Sequence, residues 1–355
     1  LSGREGGAAE IRRLLSGNLT AAGFYGHGFL SGEAFGGLLD RMEVPAEVRR
    51  RYAGGRAERA AGAAGVAVVA LRYGEGEFGS EADAAGGVSV RLARFARANW
   101  YAELSTRLRT AVEATIAQAA QVGSVLPPAK AWHRLVNSGL PEKPAAVAAG
   151  LGWLGRNGIL AAAKGEGVTG PDFSSAVVLG LLLCPIDLEP PAAEPLARRC
   201  GRCRRCVDAC PTGALELPDE AGGAPGGGTH AYRRERCIQH WTAKAGELPA
   251  RIEAALDGRL YGCDSCLEAC PYFLTDRDAG TPLGRLGPEL PAARILESDD
   301  AALRRALAGT ALDRSWMSLD AFRRNARLAL EGRCKAASGA DFDASAARAE
   351  GREEC

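Results

Sequence analysis

The feature that most restricts this chain is its cysteines, eight of whose eleven fall between Cys200 and Cys270. The first set is Cys200, Cys203, Cys206 and Cys210, closed by Pro211. That is the C-x2-C-x2-C-x3-C-P spacing of bacterial-type iron–sulfur sites, in which three thiolates hold one cube and the fourth cysteine reaches a second. The second set is Cys237, Cys263, Cys266 and Cys270, closed by Pro271, with its leading cysteine moved far upstream. The spacing predicts two [4Fe-4S] clusters with crossed ligands. Cys200, Cys203 and Cys206 would share one with Cys270, and Cys237, Cys263 and Cys266 would share the other with Cys210. Zinc is the competing reading, because C-x2-C pairs also build tetrahedral zinc sites. Two four-thiolate zinc sites would most naturally use four pairs, whereas this chain offers a triple, then a single and a pair. Cys184, Cys334 and Cys355 lie outside the pattern and read as a buried thiol or inert tail residues.

At 355 residues, with 46% hydrophobic and 25% charged residues, the chain has the make-up of a globular protein of two or three domains. No apolar run reaches membrane-spanning length, and the first thirty residues lack a basic head followed by an apolar core. Cysteine richness without an export signal suits a reducing compartment, so a cytoplasmic location with no membrane partner is expected. A formal net charge of +1 excludes a global nucleic-acid footprint, leaving only local basic patches.

The element pattern predicts three domains and a tail. Residues 1–190 read as an α/β domain. Gly65 to Tyr73 is an apolar run of strand length, Trp132 to Val136 a short strand and Ala176 to Leu183 a second buried strand. Between them Trp100, Leu104, Leu108, Val112 and Ile116 recur every four residues, as on an amphipathic helix that Gly123 stops. Residues 196–280 read as a two-cluster, bacterial-ferredoxin-like domain, interrupted at Ala221 to Thr229 by a glycine-rich surface insertion. Residues 281–335 read as a small helical domain, with helices at Ala301 to Leu307 and Ser318 to Leu330, the second capped by Ser318. Residues 336–355 read as a disordered tail. Arg49 to Arg51 look like a solvated helix end. Six basic and two acidic residues between Arg314 and Lys335 make either a solvated basic helix or a phosphate-contacting face carrying Arg323, Arg324 and Arg327.

Several separated stretches together resemble the epoxyqueuosine reductases. They are Ala149 to Asn157, Cys200 to Cys210 with the Pro-Thr-Gly-Ala that follows, Arg236-Cys237-Ile238, Tyr261-Gly262-Cys263-Asp264, and Gly309-Thr310-Ala311 with Arg323-Arg324-Asn325-Ala326. The resemblance spans roughly residues 65 to 333. It implies an N-terminal α/β domain resembling that of reductive dehalogenases, a double [4Fe-4S] domain and a small C-terminal α-helical (HEAT-like) repeat. It also implies cobalamin as cofactor, an external low-potential reductant, and tRNA as partner through its anticodon loop. Electrons would pass through the clusters to cobalt and reduce the epoxide of epoxyqueuosine to give queuosine. A monomer is expected. Gly152, Trp153, Gly155, Arg156 and Asn157 would lie on the cofactor side, and Arg323, Arg324 and Arg327 on the RNA side.

The chain departs from that pattern where a proton is needed. The stretch Val136 to Lys143 puts Asn137 in the place of the family's aspartate, and an amide cannot supply a proton on demand. Glu142 is the nearest carboxyl that could serve instead, and Asn137 reads equally as a structural capping residue. Trp100-Tyr101, Ile238-Gln239-His240 and Cys270-Pro271-Tyr272-Phe273 also differ from the family's pairs at these points. His133 and His240 are candidate neighbours of the cofactor or a cluster, against the plainer reading of packed histidines. The two alternatives to the reductase are a reductase of another substrate on the same architecture and a two-cluster electron-transfer protein.

Overall fold

A computed structural model describes residues 2–42, 63–73, 87–217, 231–274, 286–313 and 317–338. The glycine-rich insertion, Arg49 to Arg51 and the tail beyond residue 338 lie outside the described residues. By contact the chain forms two units, and they do not follow chain order. The first takes Leu1–Gly76, Trp100–Arg199 and Pro271–Pro282; the second takes Glu77–Asn99, Cys200–Cys270 and Leu283–Cys355.

The first unit is built on a four-stranded antiparallel sheet in the order Gly26–Ser31, Gly65–Arg72, Val177–Cys184, His133–Val136. The two central strands are the apolar runs of the sequence, and nearly every residue on both is buried. Continuous rather than alternating apolar character means that both faces are covered. Helix Trp100–Gln121 covers one face, packed beside helix Ser2–Ala21, with Trp100, Leu104, Leu108 and Val112 buried along its inner stripe. Helices Gly32–Arg41 and Glu142–Ala148 cover the other, where Phe35, Leu38, Ala145 and Ala146 join Val66, Val68, Leu181 and Leu183 in one core. A hairpin of Gly152–Leu154 and Leu160–Ala163, extended by Phe173–Ser174, completes this unit.

The second unit has a three-stranded sheet whose middle strand, Ser89–Leu92, comes from far upstream. It runs parallel to Arg259–Tyr261 and antiparallel to Glu289–Pro291. Val90, Leu92, Leu260 and Leu290 from this sheet pack with Ile295, Leu303 and Phe322 of helices Ala292–Glu297, Asp300–Leu307 and Leu319–Ser338. Both of the last two are capped: Asp299 accepts from Ala302 N at 2.7 Å, and Ser318 Oγ, the expected cap, accepts from Ala321 N at 3.2 Å. Among the described residues no helix is long and apolar enough to cross a membrane.

Candidate redox site

Among the described residues no cysteine is joined in a disulfide. Burial, followed by the neighbouring thiols Cys270, Cys200 and Cys203, pushes the Cys206 thiol up to about 11. Burial also raises Cys266, and the thiols acting on it are Cys263, Cys237, Cys210 and Cys206. Cys270 thus acts on Cys206 together with Cys200 and Cys203, and Cys210 acts on Cys266 together with Cys263 and Cys237, although among the described residues no three of these side chains are disposed as a ready metal site. Local structure explains the exchange. Cys203 and Cys206 lie at the entry of a single helical turn, Arg205–Asp208, while Cys210 follows its end and precedes a proline. The turn Ser265–Glu268 repeats this arrangement for Cys266 and Cys270. Ala214 N donates to Cys210 Sγ at 3.2 Å, and Ser265 Oγ lies 3.5 Å from Cys263 Sγ, polar contacts of the kind that tune a thiolate. Cys184 is buried in the first unit's sheet, where desolvation holds its thiol far above the usual range.

In the first unit, strand His133–Val136 ends on Asn137, which is exposed and has φ 49°. Asparagine tolerates this left-handed conformation better than most residues, and here it turns the chain out of the sheet. Ser138 follows, and its N–H and Oγ both approach Glu142 Oε1, at 3.2 and 3.4 Å. Burial nevertheless dominates at Glu142 and raises its carboxyl from 4.5 to about 7. A half-protonated carboxyl therefore stands five residues after Asn137. Lys143 Nζ donates to Gly158 O at 2.8 Å, tying this helix to the glycine-rich hairpin turn.

That hairpin and its turn hold all five of its residues expected on the cofactor side. A side chain at position 152 would put its Cβ 2.3 Å from Ala161 O, so only glycine permits the strand pairing there. Asn157 Oδ1 accepts from Ile159 N at 3.1 Å and shapes the turn after Gly155 and Arg156. Trp153 packs edge-on against Tyr272 with ring centroids 5.1 Å apart, and against Phe173 at 6.5 Å. Ser175 N donates to Tyr272 O at 2.7 Å, and Ser174 Oγ donates to Leu274 O at 2.7 Å. Two polar atoms in this cluster, Trp153 Nε1 and Ser175 Oγ, are buried with no hydrogen-bond partner among the described residues. Such atoms in an otherwise satisfied interior suit a ligand with peripheral acceptors. Sequence reasoning gave no role to Ser138, Phe173 and Ser175, whereas Tyr272 stood out in the sequence as a departure from the family pattern two residues after Cys270.

The remaining candidates have distinct surroundings. His133 lines a recess of about 350 Å³ with Arg109, Glu113, Lys130 and Arg134. His240 lies between two cations, its Nδ1 accepting from Arg234 Nε at 3.1 Å and its Nε2 2.8 Å from Lys244 Nζ. Burial, followed by the charges of Lys244 and Arg234, lowers its pKa. Arg323 donates to Ser298 O at 3.0 Å and pairs with Asp300 at 2.7 Å. Arg324 donates to Lys244 O at 2.8 Å, Gly246 O at 2.6 Å and Trp241 O at 3.1 Å. Both guanidinium groups are thus engaged inside the unit, whereas Arg327 is exposed.

Comparison with known proteins agrees with this geometry. Residues 199–272 match the family model described as a 4Fe-4S double cluster binding domain. The structure superposes on an epoxyqueuosine reductase solved with an epoxyqueuosine-modified tRNA-Tyr stem loop, with a TM-score of 0.66 at 20% identity, covering 91% of this chain and 81% of that one. The fold is that of the epoxyqueuosine reductases. A second solved member, from Bacillus subtilis, has its catalytic aspartate loop swung out of the active site and superposes with a TM-score of 0.65 at 21% identity, over 91% of this chain and 82% of that one. In sequence, the epoxyqueuosine reductase of Staphylococcus aureus is 32% identical over 181 residues, 51% of this chain and 41% of the relative. The matched stretch thus spans less than half of that relative's length.

Proposed function

We propose that this chain is an epoxyqueuosine reductase, converting the epoxide of epoxyqueuosine in the tRNA anticodon loop to the alkene of queuosine. The balance of that reaction is two electrons and two protons in, with the epoxide oxygen leaving as water. Each set of four thiols would hold one [4Fe-4S] cluster, fed by an external low-potential reductant. Cobalamin, when bound, supplies a strongly reducing cobalt centre that relays these electrons to the substrate. The first unit would carry cofactor and substrate. The unsatisfied Trp153 N–H and Ser175 hydroxyl fit the amide-fringed rim of a corrin, and the glycine-rich hairpin of Gly152, Gly155, Arg156 and Asn157 supplies close backbone approach. Asn137 would orient the substrate oxygen, and Glu142, protonated near neutral pH, would donate the proton. His133 and His240 remain candidate neighbours of the cofactor or a cluster.

In the second unit, helices Ala292–Glu297, Asp300–Leu307 and Leu319–Ser338 would form the HEAT-like repeat and present Arg327 to tRNA phosphate. A cytoplasmic, monomeric enzyme follows from the same reading. The observation that supports it is the match of residues 199–272 to a 4Fe-4S double cluster binding domain on a reductase fold. Asparagine at position 137 favours a second reading, a reductase of the same architecture acting on another substrate. Anaerobic reconstitution followed by metal analysis and turnover of an epoxyqueuosine-containing stem loop separates them. About eight irons and one cobalt per chain with queuosine formed supports the first. The same metal content without turnover supports the second. Irons without cobalt leave an electron carrier.

A further inference from the structure

The two sets of cysteines pose different folding problems. Cys200, Cys203 and Cys206 are spaced by two residues and close on a cube locally. Cys237 stands 26 positions before Cys263, so tertiary structure must bring the two together against the entropy of the intervening loop.

A buried polar network does this. Helix Ile238–Thr242 starts immediately after Cys237 and ends on Thr242, which is fully buried. Thr242 Oγ1 accepts from Gly262 N at 3.0 Å, and Gly262 immediately precedes Cys263. Gly262 has φ 83°, and a Cβ there would fall 2.3 Å from the Ala93 Cβ, so this residue is fixed as glycine and fixed in place. From the C-terminal helix, Asn325, also fully buried, donates to Thr242 O at 3.1 Å and to Leu260 O at 2.8 Å. Its Oδ1 accepts from Arg324 Nε and Nη2 at 3.0 and 2.8 Å, and Arg324 in turn binds the carbonyls of Trp241, Lys244 and Gly246. Those carbonyls stand at or just beyond the C-terminus of the Cys237 helix, where a cation is favoured.

We propose that Thr242, Asn325 and Arg324 are positioning residues for the second cluster: they staple the Cys237 limb to the Cys263 limb and so set that cluster's geometry and retention while leaving the first untouched. This rests on the reading of Cys237, Cys263 and Cys266 as ligands. It gives the Arg-Arg-Asn stretch a redox task in place of the RNA contact expected for Arg324.

The test is Thr242→Val in the full chain, with Thr242→Ser restoring the hydroxyl as the rescue. Each reconstituted protein is challenged anaerobically with an iron chelator, and the two clusters are followed by iron release and by electron paramagnetic resonance of the reduced state. Half of the iron in Thr242→Val is expected to leave about tenfold faster than in wild type, the factor carried by one unmet buried hydrogen bond. The other half should leave at the wild-type rate, one cluster signal should change shape and midpoint potential, and Thr242→Ser should behave as wild type. Release of both clusters alike would mean general loosening and overturn the staple. Wild-type retention of both would overturn it as well. A wild-type chain that takes up no iron would instead sink the cluster reading on which the staple depends.

Discussion

Replacing Glu142 by glutamine isolates the cost of keeping that carboxyl in its buried place. The folded chain holds Glu142 near 7, against 4.5 for the ordinary group. Below 4.5 the carboxyl is protonated in both folded and unfolded chains and contributes nothing to the pH dependence of stability. As pH rises from 4.5 to about 7, the unfolded chain releases the proton first, and stability falls steadily; above 7 both states are ionised and the loss is constant. Each pKa unit corresponds to about 1.4 kcal/mol, so the full loss is about 3 kcal/mol. Glutamine is neutral throughout and its oxygen still accepts from Ser138 N, so Glu142→Gln should match wild type near pH 4.5 and exceed it by up to about 3 kcal/mol at pH 8. Urea unfolding of both proteins at a series of pH values reads the difference directly. A gap that is the same at pH 4.5 and pH 8, or wild type gaining stability on wild-type Glu142 ionisation, would refute the buried-acid argument. The same variant should lose epoxide reduction at every pH, while wild-type activity declines as pH rises through 7.

Three other outcomes are expected. Cys210→Ser and Cys270→Ser should each labilise one cluster, but the opposite one from the cysteines beside them in sequence; iron analysis combined with resonance spectra of each variant checks the crossing. Asn137→Asp should raise turnover of epoxyqueuosine tRNA by roughly 10²-fold or more if proton supply limits the reaction, the scale typical of a general acid; unchanged turnover would leave Glu142 as the sole donor. Arg327→Ala should weaken stem-loop binding and reduce its salt slope by about 0.7, the value for one phosphate contact on a single strand. Arg324→Ala should leave that slope alone and lower the melting temperature.

Much of this architecture was written in local pattern. Apolar runs at Gly65 and Val177 became the central strands because nothing but a doubly covered sheet accommodates them, and the four-residue recurrence from Trp100 became the helix that covers one face. The cysteine spacing marked the double-cluster domain because a triple at two-residue spacing and two Cys-Pro closures are local in sequence. What was not legible depended on distant pairing. Ser89–Leu92 is a short strand whose partners begin 167 and 197 positions after its last residue, so no window of sequence reveals it. Arg323 and Arg324 carried the same charge signal as Arg327; only tertiary contacts with carbonyls and carboxylates distinguish an internal clamp from an open cation. Trp153 was found through its glycine-rich setting, whereas Ser175 and Phe173 lie in an unmarked stretch and come to notice only because Tyr272 packs on them.

The long wait between Ser89–Leu92 and its partners has a consequence during synthesis. Its antiparallel neighbour, Glu289–Pro291, leaves the ribosome about two hundred residues later, which at about 5–20 residues per second is about 10–40 s. The eight cysteines from Cys200 to Cys270 are all made within that interval, the last of them 19 positions before Glu289, while the sheet that supports the Cys263 limb is still incomplete. A nascent chain of this kind therefore passes through a stage with its thiols assembled in order but not in space, open to oxidation and to wrong metals. The sheet behind the Cys263 limb is complete only once translation has passed Pro291, so that limb is the last part of the double-cluster domain to gain its support.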